Sequence, residues 1–119
     1  MSIVSIILVI LVAIEFLYIM YLETFATSST KTSKTFNIAT QKLKDEHINV
    51  LLKNQGVYNG LISLLLIYSV FFTSHPKEIC IPILIYTIVV AIYGGISSNI
   101  SILLKQGTLP ILALLSMLF

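Results

Sequence analysis

The sequence predicts an all-α protein embedded in a membrane as a four-helix bundle, organised as a single domain over residues 1–119. Three observations carry that expectation. The chain is 57% hydrophobic and 10% charged, with a mean hydropathy of +1.01. A soluble domain carries about 25% charged residues, and these residues are too few to make a polar coat. The apolar residues also fall into four runs, each near the roughly 20 residues that cross hydrocarbon as a helix. Finally, the runs do not alternate apolar with polar, as the strands of a membrane barrel would.

The first span reads from about Ile3 to Phe25, with an unbroken apolar core at Ile6–Ile14. It is expected to be retained and not cleaved as a leader. No basic stretch precedes it, Glu15 interrupts the run, and Glu23 stands where a small-residue cleavage site should begin. Ala26–Ile48 is rich in Ser, Thr and Lys and reads as a solvated spacer. Thr40 is expected to cap a helix entering Lys42–His47, so the second span starts in water or at the interface. That span reads from about Asn49 to Phe72, polar in its first half and lipid-like over Leu61–Phe72. Ser74-His75-Pro76-Lys77 marks a turn. The third span reads from about Ile79 to Ile96 with Pro82 in its first turn, where proline is tolerated. The fourth reads from about Ile102 to Phe119.

Charge sets the orientation. With four spans, the first and third connections share one side. Lys31, Lys34, Lys42, Lys44, Lys53 and Lys105 fall there, and Lys77 alone falls opposite. The positive-inside rule puts loop 26–48 in the cytoplasm and both termini outside a multi-pass cell-membrane protein.

The polar residues of the spans crowd toward that same side. Glu23 lies at the loop end of the first span, with Glu15 about 12 Å deeper at about 1.5 Å per residue. The second span enters with Lys53, Asn54, Gln55, Tyr58 and Asn59. The third arrives with Tyr93, Gly94 and Gly95, and the fourth leaves with Gln106 and Gly107. At about 100° per residue, Tyr18, Glu15, Ile19 and Glu23 share an arc of roughly 140°. Tyr58, Gln55, Asn59 and Ser63 share a similar one. Gly56 and Gly60 flank that second arc as a GxxxG pair that admits another helix. Pro110 has no N–H, which frees the carbonyl of Gln106; broken transporter helices use freed carbonyls in a similar way. The opposite half of the spans reads as nearly all Ile, Leu, Val and Phe.

Glu15 is the strongest single signal, because an ionised side chain near mid-bilayer carries a penalty of roughly 2.5–3.5 kcal/mol on insertion scales. It is read either as a functional group or as a structural hydrogen bonder to Tyr58, Asn59 or backbone. Glu23 and Lys53 lie where long side chains reach water. Asn54, Gln55 and Asn59 either fasten helices or line a site. His47 and His75 are expected on opposite sides, so no metal site is expected. No Ser has a His/Asp triad, and no phosphate loop is present. No cofactor is expected, Cys80 reads as apolar filler, and the lysines lack the aromatic interleaving of a nucleic-acid surface.

Glu15-Phe16-Leu17-Tyr18-Ile19-Met20-Tyr21-Leu22-Glu23, Asn54-Gln55-Gly56-Val57-Tyr58-Asn59-Gly60, Tyr93-Gly94 and Gln106-Gly107-Thr108-Leu109-Pro110 together resemble domain-of-unknown-function family 1304. The likeness extends over essentially the whole chain, Phe36 included. It implies a small four-span protein of the bacterial inner membrane and implies no reaction. By analogy, the chain is also similar in length, span number and Glu15 to small multidrug resistance transporters, whose embedded glutamate binds protons and cationic substrates in turn. It departs from them in having no Trp, a longer first loop and a carboxamide-rich second span.

The functional expectation is a small-solute binding or transport protein whose polar pocket opens to the cytoplasmic leaflet. Glu15 is its protonatable centre. Tyr18, Glu23, Asn54, Gln55, Tyr58 and Asn59 are further candidate binding residues, with Tyr93 and Gln106 closing the far side. The alternatives are a membrane-embedded enzyme acting on a lipid or isoprenoid, with Glu15 or Glu23 as general acid/base, and an accessory subunit using Gly56 and Gly60. The expected partners are the lipid bilayer, an unknown small solute or lipid, and further copies of the chain, with no nucleic acid.

Overall fold

The computed structural model describes residues 1–119 and is entirely helical, with no strand. In chain order the elements are α1 (Ile3–Met20), continued by a π-turn (Tyr21–Phe25), then α2 (Thr30–Phe36), α3 (Thr40–Leu43), α4 (Glu46–Phe72), α5 (Pro76–Ser97) and α6 (Ile100–Leu118). Four helices are long and apolar enough to cross a membrane: Ile3–Phe25, Glu46–Phe72, Pro76–Ser97 and Ile100–Leu118. The chain forms two compact units, Met1–Glu15 with Ser63–Phe119, and Phe16–Ile62.

In the first unit four helical segments pack into a bundle. Its core is Val9, Val12 and Ala13 of α1, Leu66 of α4, Cys80, Leu84 and Ala91 of α5, and Ala113 and Met117 of α6. Small hydroxyl residues fasten these segments. Ser63 Oγ donates to the carbonyl of Ala13 at 2.7 Å, and the hydroxyls of Ser5 and Ser116 meet at 2.8 Å. Ser69 Oγ lies 2.8 Å from Cys80 Sγ. The sequence reading of the half opposite the polar side as nearly all Ile, Leu, Val and Phe did not single out these serines. Single serines between long aliphatic runs leave hydropathy almost unchanged, yet each lets two backbones approach and satisfies its own hydrogen bond. The α5–α6 hairpin is close for a related reason. A Cβ at Gly95 would stand 2.9 Å from Leu103 Cβ, and one at Gly94 would stand 3.1 Å from Ile102 Cγ2.

The second unit joins the end of α1, the π-turn and the first half of α4, with α2 and α3 between them in sequence. Segment 26–48 is therefore not the simple solvated spacer that its composition suggests. Ser29 caps α2, its Oγ accepting from Thr32 N–H at 3.2 Å. Asn37 closes α2 in the left-handed region at φ 55°, a conformation asparagine tolerates. Thr32, Phe36 and Leu43 are buried. One hydroxyl ties α2 down: the single proton of Thr32 Oγ1 is shared between the carbonyls of Ala26 at 2.7 Å and Leu22 at 3.0 Å.

Local capping moves several expected boundaries. Thr40 opens α3 as its first residue and caps nothing; Ala39 occupies the cap position without a side-chain bond. Asp45 is the residue that starts the second span. Its Oδ1 accepts from the N–H groups of His47 at 3.1 Å and Ile48 at 3.2 Å, so α4 begins at Glu46 and not at Asn49. Pro76 takes the first-turn position of α5, which places Pro82 inside that helix and not in its first turn. The α6 helix begins at Ile100, because Asn99 Oδ1 accepts from Ser101 N–H at 2.9 Å.

Replacing Asp45 by Ala removes the cap of α4 at an expected cost of about 1 kcal/mol. Hydrogen exchange at the His47 and Ile48 amides should accelerate while exchange at Leu66 stays slow. Unchanged protection at both amides would show that the cap does not hold this end.

Candidate functional site

The polar cluster of the second unit is centred on Glu23. The π-turn Tyr21–Phe25 closes with Ala26 N–H donating to the Tyr21 carbonyl at 2.9 Å. A π-turn takes one residue more than an α-turn, and such turns recur at functional positions. Here Leu22 and Glu23, adjacent in sequence, are 1% and 0% exposed. The Glu23 carbonyl accepts from Thr27 Oγ1 at 2.7 Å, which holds the turn from outside.

Helix α4 brings two carboxamides to the buried carboxyl group. Gln55 Nε2 donates to Glu23 Oε2 at 2.5 Å, and Asn59 Nδ2 donates to Oε1 at 2.6 Å. Gln55 and Asn59 are four apart and so lie on one helical face, one turn above the other. Gly56 and Gly60 make the approach possible. A Cβ at Gly56 would stand 3.0 Å from Thr24 N and 3.1 Å from Glu23 Cβ and would collide with Thr24 Oγ1; one at Gly60 would collide with Met20 Sδ. Thr24 Oγ1 donates across to the Lys53 carbonyl at 3.0 Å, a further tie between the same segments. The GxxxG pair is thus occupied within the chain, which removes the basis for the accessory-subunit expectation at those glycines.

The expected site residues separate accordingly. Glu23, Gln55 and Asn59 come together. Asn54 and Tyr58 lie on the exposed side of α4, and Tyr18 is exposed and stacked on Tyr21 with ring centroids 6.5 Å apart. Glu15, Tyr93 and Gln106 belong to the first unit. Tyr93 is exposed and Gln106 is half-buried. Glu15 is half-buried with an enclosed Oε1 that has no hydrogen-bond partner. It does not take up the Asn59 bond allowed for it from sequence, since that donor goes to Glu23. Sequence reasoning ranked Glu15 above Glu23 because Glu23 stands near a span end, where side chains usually reach water. Glu23 instead lies buried within the π-turn. The contributions of Thr24, Thr27 and Thr32 were also missed, since threonine in a polar segment carries no distinctive signal.

A family model described as "Protein of unknown function (DUF1304)" matches residues 10–118. The chain belongs to the DUF1304 family. The Uncharacterized protein YpaA of Lactococcus lactis subsp. lactis (strain IL1403) is 56% identical over 84 residues, which is 71% of this chain and 71% of that protein. No solved structure matches. In this chain the geometry gives the motif Asn54-Gln55-Gly56-Val57-Tyr58-Asn59-Gly60 a physical content: two carboxamides bind a carboxyl group, and two glycines let their helix come near.

A double-mutant cycle on Glu23→Gln and Asn59→Leu tests the cluster. Hydrogen bonds between membrane helices average about 0.6 kcal/mol, with a maximum near 1.7. The coupling energy from reversible unfolding in mixed micelles should lie in the upper half of that range. Simple additivity of the two variants would show that the bond stabilises nothing.

Proposed function

We propose that this DUF1304 protein binds and carries a small solute, with Glu23, Gln55 and Asn59 as the centre of a polar site on the loop side of its spans. The observation behind this reading is a carboxyl group fully buried inside a span and held by two carboxamides, with no cationic side chain among its partners. Fastening two helices needs one hydrogen bond between neutral groups. A buried ionisable group without a counter-charge is not needed for that end, and ionisable groups inside spans usually mark the paths of solutes or protons. Glu15, a second carboxyl group with an enclosed unpartnered oxygen, keeps its proposed role as a protonatable group within its own unit. The lysine asymmetry favours a cytoplasmic loop 26–48 with both termini outside, so the site faces the cytoplasmic leaflet.

Binding of radiolabelled methylammonium, glycerol and acetate to the protein in phosphatidylcholine nanodiscs samples cationic, neutral and anionic solutes. At least one should bind saturably, and Asn59→Leu should weaken it by about tenfold, equivalent to about 1.4 kcal/mol. Failure of all three to bind saturably removes the solute-site reading. Orientation has its own measurement. In a Cys80→Ser background, Lys34→Cys should react with an impermeant maleimide only after cells are permeabilised, and labelling of intact cells would reverse the topology.

A further inference from the structure

We infer that the solute group recognised by Gln55 and Asn59 is a protonated primary amine, bound by their outward carbonyl oxygens with the Glu23 carboxylate behind them. This deepens the solute-site reading and rests on it.

The orientation of both carboxamides is fixed by what they touch. Glu23 accepts both bonds, and each carboxamide turns its nitrogen toward it. Nitrogen and oxygen occupy opposite prongs of the amide, so both carbonyl oxygens lie on the edges turned away from the carboxylate. Neither oxygen has a partner in the chain. Asn59 Oδ1 is also not sealed, because the one enclosed side-chain oxygen left without a partner is on Glu15. Gln55 is exposed and Asn59 half-buried. Two carboxamide oxygens with four lone pairs are therefore left unspent beside the carboxyl group.

Charge decides which ligand suits those oxygens. Each amide keeps one spare N–H, but an anion bound there would lie one amide away from a carboxylate. A cation is drawn by the same charge and relieves the uncompensated anion. Lys53 does not meet this need: its side chain is exposed, and its tie to the cluster is through its backbone carbonyl. A divalent ion is held by direct carboxylate ligands, whereas both Glu23 oxygens here accept from the carboxamides. A primary ammonium carries three directed N–H donors with its charge and can bond more than one acceptor at once. A quaternary ammonium has the charge without the donors.

The amine can come from a free solute or from the phosphatidylethanolamine headgroup, and competition separates the sources. In phosphatidylcholine nanodiscs, labelled methylammonium should bind saturably and be displaced by unlabelled methylammonium. Tetramethylammonium and glycerol should compete at least about tenfold less well. Glu23→Gln and Gln55→Leu should each weaken binding by about tenfold, while Leu61→Ala, exposed on the same helix, should not. Adding phosphatidylethanolamine to the discs should displace the label if the headgroup is the natural occupant and leave it bound if a free amine is. Tetramethylammonium or glycerol competing as well as methylammonium overturns the proposal, and that comparison on the unaltered protein needs no variant to fold. If glycerol or acetate binds and methylammonium does not, the amine assignment falls while the solute site stands. If none of the three binds, the solute site falls with it.

Discussion

The Glu23 carboxyl group sets the constraint around which the second unit is arranged. An ionisable side chain withdrawn from water inside a span must find hydrogen bonds nearby, because hydrocarbon supplies none. Everything close to it answers that need. It lies buried within the π-turn, two carboxamides bind its two oxygens, and two glycines bring the donors within reach. Threonines 24, 27 and 32 bond backbone carbonyls around the same turn. Loss of the carboxyl group would leave five polar side chains and an unusual turn with much less reason to be where they are.

The first unit solves a different problem with different means. Lipid is as apolar as leucine, so burying leucine there yields little net driving force between helices. Close contact has to come from small side chains. Ser5, Ser63, Ser69 and Ser116 provide it together with Gly94, Gly95 and Gly107, and every hydroxyl finds a nearby acceptor. Two uses of polarity in a membrane are thus visible: small neutral groups that fasten the first unit, and in the second a carboxyl group whose two oxygens are both bonded.

Composition and run length made the four spans legible, because hydrocarbon thickness imposes a length that few other environments require. The grouping of Glu23, Gln55 and Asn59 was legible in part, since four-residue spacing and a shared level in the bilayer follow from helix geometry alone. The pairing itself was not. The expected centre was Glu15, which an ideal α-helix presents on the same arc. Glu23, which meets α4, stands in the π-turn Tyr21–Phe25, and no residue type announces a π-turn. Boundaries shifted for a similar reason. Asp45, Asn99 and Ser29 all cap helices, but a segment with many Ser, Thr, Asn and Asp residues contains more potential caps than helices.

The glycines of this chain have an unusual distribution. All five stand where one helix meets another, and none occurs in a connection. The one left-handed backbone position is given to Asn37. In water-soluble domains glycine is commonly treated as punctuation between elements, and an alignment guided by that habit would put gaps in the middle of these spans. In this chain the glycines are better used as registration marks for the spans themselves.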